Sequence, residues 1–177
     1  MTNPRLDSKA NGDNPRPAAN SEWTEPEMGD AFFYHMTDSP LERTLPMILT
    51  RALANGWRVL VRGVDQQRLD WLDERLWIEP KDGFLPHGKA GGDFDPEQPV
   101  LLGPPDTSAT GFACVVTLDG AGITPDEITK AERACILFDG NDPAAVEAAR
   151  AQWRTLTGAG VAAKYWSDAG GKWEQKA

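Results

Sequence analysis

The 177-residue chain has 40% hydrophobic and 25% charged residues, which excludes a fibrous or wholly disordered protein. Its net charge of −9 argues against broad, sequence-independent binding to nucleic acid, because that binding relies on basic side chains displacing counterions from phosphates. Two cysteines without a C-x-x-C pair, no apolar run of about 18 residues and no secretory leader pattern lead us to expect a reduced, cytoplasmic protein without a membrane segment.

The charge is uneven. Residues 1–27 sum to −2, residues 28–143 to −9 and residues 144–177 to +2. Residues 1–27 are rich in Asn, Pro, Ser, Asp and Ala, and are expected to form a disordered N-terminal extension, with Met28 itself a possible initiator. Residues 28–177 are expected to form a single α/β domain.

In chain order, Ala31 to Met36 reads as a first strand. Ser39-Pro40-Leu41-Glu42 reads as a capping box opening a helix whose Leu41, Leu45, Ile48, Leu49 and Leu53 share a face. Pro46 predicts a kink or a late start, and Asn55-Gly56 a stop. Trp57 to Val61 is a second strand. Asp65 opens a second helix with Leu69, Leu72 and Leu76 inward, ending near Trp77 before Pro80. Residues 78–99 read as loop. Strands follow at 100–102 and 112–118, then a brief helical turn at 125–129 and a strand at 134–138. Asp142-Pro143 starts a last helix running to about Thr157, closed by Gly158 and Gly160, and a strand at 161–166 completes the pattern. Strands alternating with helices imply a sheet covered on both faces.

Signals for chemistry are few. No G-x-G-x-x-G follows a strand and no G-x-x-x-x-G-K-[ST] occurs; Gly88-Lys89-Ala90-Gly91-Gly92 resembles a phosphate loop only superficially, since no strand precedes it. His35 ends a strand, where packing or capping is expected. His87 lies in a Pro/Gly loop with no nucleophile beside it. Cys114 and Cys135 lie in apolar strands, where thiols are inert. Asp73-Glu74 is read as a solvated pair on the outer face of its helix.

Seven tryptophans are more than one core of this size commonly uses, and Trp and Arg concentrate at protein interfaces. Trp77 falls off the inward stripe of its helix, next to a loop holding Phe84; the two either fold back on the body or present a patch. In the last helix Val146, Ala149, Trp153 and Leu156 form a stripe bordered by Arg150 and Arg154. That border suits a peptide ending in acidic and aromatic residues, or else marks a core tryptophan between solvated arginines.

Phe33-Tyr34-His35-Met36, Trp57-Arg58-Val59-Leu60-Val61, Leu72-Asp73-Glu74-Arg75-Leu76-Trp77 and Phe84-Leu85-Pro86-His87 follow in an order and spacing that resemble the chi subunit of the bacterial DNA polymerase III holoenzyme, over residues 28–167. The resemblance implies a three-layer α/β/α sandwich with a Rossmann-like mixed sheet. It implies a non-catalytic protein without cofactors that joins the psi subunit of the clamp loader to the acidic C-terminal tail of single-stranded-DNA-binding protein. It places Trp77, Phe84 and His87 in a patch for psi or a helicase. It places Arg150, Trp153 and Arg154 in the acidic-tail pocket, with Asp139 and Val146 nearby. Trp153 stands where that pocket commonly has tyrosine, and Val146 where it has lysine. The competing expectation is a nucleotide-binding or hydrolytic enzyme on the same sheet.

Overall fold

A computed structural model describes residues 29–79, 81 and 83–177; the extension expected over residues 1–27 lies outside them. Eight strands form a sheet: β1 (Asp30–Met36), β2 (Val59–Arg62), β3 (Gly88–Lys89), β4 (Val100–Gly103), β5 (Cys114–Leu118), β6 (Arg133–Asp139), β7 (Ala163–Ser167) and β8 (Glu174–Gln175). Their order is β3-β4-β2-β5-β6-β1-β7-β8. All pairings are parallel except β7 with β8, so the sheet is mixed.

Side chains of a strand alternate between the two faces. Phe32, Tyr34, Val59, Val61, Cys135 and Leu137 pack with α1 (Leu41–Ala54) and α2 (Gln66–Ile78). Ala31, Phe33, Leu60, Ala134 and Ile136 pack on the other face with α3 (Pro125–Lys130) and α4 (Pro143–Gly158). Both faces are covered, which is why the central strands read as continuous apolar runs with no polar alternation. This is the expected three-layer arrangement. Among the described residues no helix is long and apolar enough to cross a membrane.

Three helix starts follow the sequence and one does not. Asp65, Thr124 and Asp142 each accept a backbone N–H of the first turn, and Thr124 with Glu127 completes a reciprocal capping box. The box expected at Ser39 and Glu42 is absent: α1 is entered through Pro40 with no side-chain cap. The Ser39 N–H is instead engaged by Asp168 at 2.5 Å. The late start predicted at Pro46 is also absent, since α1 runs through the buried Pro46. Its missing N–H leaves the carbonyl one turn earlier, at the half-buried Glu42, without its helical donor. The expected loop at 78–99 contains β3 and a short 3₁₀ turn at Asp95–Glu97, both too brief for any periodicity.

Arg62 ends β2 and is buried. Its donors reach the Thr107 carbonyl at 3.0 and 2.6 Å, the Gly122 carbonyl at 3.2 Å and both carboxylate oxygens of Glu127 at 3.1 and 2.6 Å. One guanidinium thus ties the end of β2 to the 104–111 loop and to the start of α3.

Candidate functional site

The patch at the end of α2 is built by helix geometry. Leu69, Leu72 and Leu76 face the sheet, and the next residue turns about 100° away from them. Trp77 is therefore 61% exposed, with Phe84, 68% exposed, 5.7 Å away between ring centroids. Ile78 is exposed as well. His87 does not share that surface. Its side chain is buried, with Nδ1 2.6 Å from the Leu85 carbonyl and Nε2 3.0 Å from the Asp73 carbonyl. Its ring lies 4.9 Å from that of Trp77. His87 supports the patch from beneath by pinning the 84–88 loop to α2.

The abundance of tryptophan has a different cause from the one read in the sequence. Trp57, Trp71, Trp166 and Trp173 pack on the α1/α2 core and Trp153 on the opposite one. Of the tryptophans described, only Trp77 presents most of its surface to solvent.

On α4, Val146, Arg150, Trp153 and Arg154 recur at helical spacing and share one flank. Trp153 is half-buried, its ring edge-on to Phe33 at 5.1 Å and to Tyr165 at 5.9 Å. Arg150 and Arg154 are both exposed, and both turn to one carboxylate, Glu147, at 3.9 and 3.4 Å. Asp139 stands apart. It closes β6 before α4 begins, and at about 1.5 Å per residue Arg154 lies roughly 16 Å along the helix from its start.

Glu147 and Tyr165, which had no role in the sequence reading, complete this flank, with His35 packed behind them. Glu147 is the internal counter-ion of the arginines. Tyr165, from β7, supplies a phenol beside Trp153, and its hydroxyl lies 2.7 Å from His35 Nδ1. Burial raises the Tyr165 pKa, with Arg150 opposing it, so the phenol stays protonated at neutral pH. His35 stacks against Phe138 at 5.2 Å, and a Cβ on Gly140 would overlap its ring. The i, i+3 spacing of Glu147 before Arg150 was a visible signal. Tyr165 had none, because its neighbours come from β1 and α4.

The strand ends where doubly wound sheets hold nucleotides are arranged differently here. Asp168 is buried, and its carboxylate accepts the N–H groups of Thr37, Asp38 and Ser39 at 2.6, 3.2 and 2.5 Å. The backbone donors after β1 thus hold the chain's own carboxylate. A neighbouring cleft of about 630 Å³ between the β5–α3 turn and α4 is walled by Ala145, Ala148 and Ala149 and rimmed by Asp139, Asp142 and Asp119, the last paired with Arg68 at 2.8 Å. An acidic rim repels phosphate. Among the described residues no group of three or more His, Cys, Asp or Glu is placed to hold a metal ion.

Comparison with protein families gives a match to the family described as DNA polymerase III chi subunit, HolC, over residues 28–164. Comparison with curated proteins gives no match.

Proposed function

The chain belongs to the DNA polymerase III chi subunit family, and from that premise we propose that residues 28–177 form a non-catalytic adaptor domain working in the cytoplasm on the replication machinery. One docking surface, Trp77 with Phe84, receives the psi subunit of the clamp loader or a helicase. The other, the Arg150–Trp153–Arg154 flank of α4, receives the acidic C-terminal tail of single-stranded-DNA-binding protein. The adaptor needs no cofactor and makes no strong contact with nucleic acid itself.

The observation that carries this reading is the pair of exposed arginines sharing one carboxylate beside a half-buried aromatic shelf. An incoming acidic tail replaces Glu147 as their partner and lays an apolar side chain against Trp153. Guanidinium groups grip carboxylates in a fork geometry, so the arginines set the register of the peptide. The nucleotide-binding alternative finds no support in the strand-end geometry, where Asp168 occupies the N–H groups a phosphate would use.

Titration calorimetry with a tail peptide tests the assignment. Wild type is expected to bind, and Arg150→Ala to weaken binding by about tenfold, the effect of losing a charged hydrogen bond. Equal affinities for wild type and Arg150→Ala would remove the tail from this flank. Capture of psi by the wild type and its loss in Trp77→Ala checks the second surface.

A further inference from the structure

On the α1 face, where β5 and β6 begin, a cavity of about 100 Å³ lies beneath the last turn of α1. Its apolar walls include Phe32, Ile48 and Trp57, and its polar lining includes Arg51, Arg133 and Trp166. Two N–H groups in the lining are buried without a hydrogen-bond partner, Arg133 Nε and Trp166 Nε1. Buried donors are almost always paired, and each exception needs a reason. Both exceptions belong to residues lining this one cavity, which makes it the place to look for their missing acceptor.

The charge agrees. Among the described residues neither Arg51 nor Arg133 is in an ion pair. Asp30, beside Arg133 in the β1–β6 register, pairs with Lys164 through Oδ2 at 3.7 Å, and its Oδ1 is itself buried without a hydrogen-bond partner. No carboxylate lines the cavity. Cys135, also in its wall, adds no negative charge: its hydrogen bond with Cys114, together with burial, raises the Cys135 pKa well above the usual thiol value. The last carbonyls of α1 do not face an incoming anion unpaired, because Asn55, Gly56 and Trp57 donate to them. The site is also rigid. The Arg133 guanidinium is stacked on Phe32 at 4.2 Å and on Trp57 at 5.3 Å. Of the two arginines in the lining, Arg51 is exposed and Arg133 half-buried.

We propose that this cavity binds a small carboxylate with a short apolar tail. The two carboxylate oxygens take the orphan donors of Arg133 and Trp166, and the tail lies against Phe32, Ile48 and Trp57. A phosphate dianion fits less well, because most of its oxygens would face hydrocarbon and lose their hydration without replacement.

The test uses the full chain and the indole N–H resonances of its ¹⁵N spectrum, with Trp166→Phe identifying the Trp166 signal. Propionate is expected to shift that signal saturably in the millimolar range, while propionamide and inorganic phosphate leave it in place. Arg133→Lys keeps the charge but loses Nε–H, and is expected to weaken propionate binding by about tenfold with the remaining amide signals unmoved. No saturable shift with propionate would mean that the donors hold trapped water only, and would overturn the proposal. So would equal shifts with propionamide, a response to phosphate alone, or unchanged affinity in a folded Arg133→Lys.

Discussion

At the scale of single residues, two carboxylates carry more of the structure than their place in the sequence suggests. Asp168 is buried, which by itself would raise its pKa, but the N–H groups of Thr37, Ser39 and Asp38 outweigh burial and hold it below the usual carboxylate range. Its stabilising contribution is therefore present above the unfolded Asp value of about 3.9 and is lost as pH falls through the lower folded value. Asp168→Asn removes the charge from these hydrogen bonds, and the expected cost in chemical denaturation at neutral pH is about 2 kcal/mol. Glu127 follows the same sign. Hydrogen bonds from Arg62 lower its pKa to about 2, against the opposing effect of burial, with Thr124 contributing. The Glu127–Arg62 pair stabilises fully above the unfolded Glu value near 4.3 and is lost as pH drops towards about 2. Glu127→Gln is expected to be less stable at neutral pH, with a flatter stability profile between about pH 4.5 and 2. A loss of stability in that variant that stayed constant across the window would contradict this account.

At the scale of elements, α2 and α4 each divide one helix between the core and an exposed flank. Trp153 looks like a docking residue by position, yet its ring rests on Phe33 and Tyr165. Trp153→Ala is expected to cost about 3 kcal/mol of stability, as core aromatic truncations do. Trp77 packs on Phe84 and His87 but stays exposed. Trp77→Ala is expected to change stability by less than about 1 kcal/mol, measured in the same denaturation series. Glu147 makes the opposite kind of prediction. It is a surface group competing for Arg150 and Arg154, so Glu147→Ala is expected to tighten the acidic tail several-fold at low salt, with the gain shrinking as salt screens the arginines. Weaker tail binding in Glu147→Ala would show that Glu147 orders the site instead of competing for it.

At the scale of the whole molecule, the final segment closes the structure. Trp173 lies edge-on to Tyr34 at 5.4 Å, and β8 pairs antiparallel with β7 at the sheet edge. An uncovered parallel edge offers unpaired N–H and C=O groups to another chain. A chain ending at Gly171 is expected to self-associate with rising concentration in sedimentation, while the full chain does not. The charge distribution works at the same scale. The acidic bulk of residues 28–143 and the basic balance of residues 144–177 concentrate the positive charge on the C-terminal segment, which carries both α4 arginines.

The sequence by itself determined the order of the helices and of the strands longer than two residues, the inward stripes of α2 and α4, and the exclusion of Trp77 from its stripe; β3 and β8 left no signal in it. These follow from periodicity and capping, which act over three or four residues. The ends of β2, β5 and β7 shifted by one or two residues because pairing partners, not local preference, end a strand. The family resemblance was legible too, since Leu72 to Trp77 and Phe84 to His87 carry it in two short stretches. What only the tertiary structure decided depends on groups far apart in the chain. Asp168 displaced the expected cap at Ser39 from about 130 residues away. Tyr165 joined Trp153 on the α4 face of the sheet, His87 went under its patch, and Arg133 and Trp166 met at one cavity. Local sequence carries no signal for such meetings, because they are set by strand register and by which face of the sheet each side chain takes.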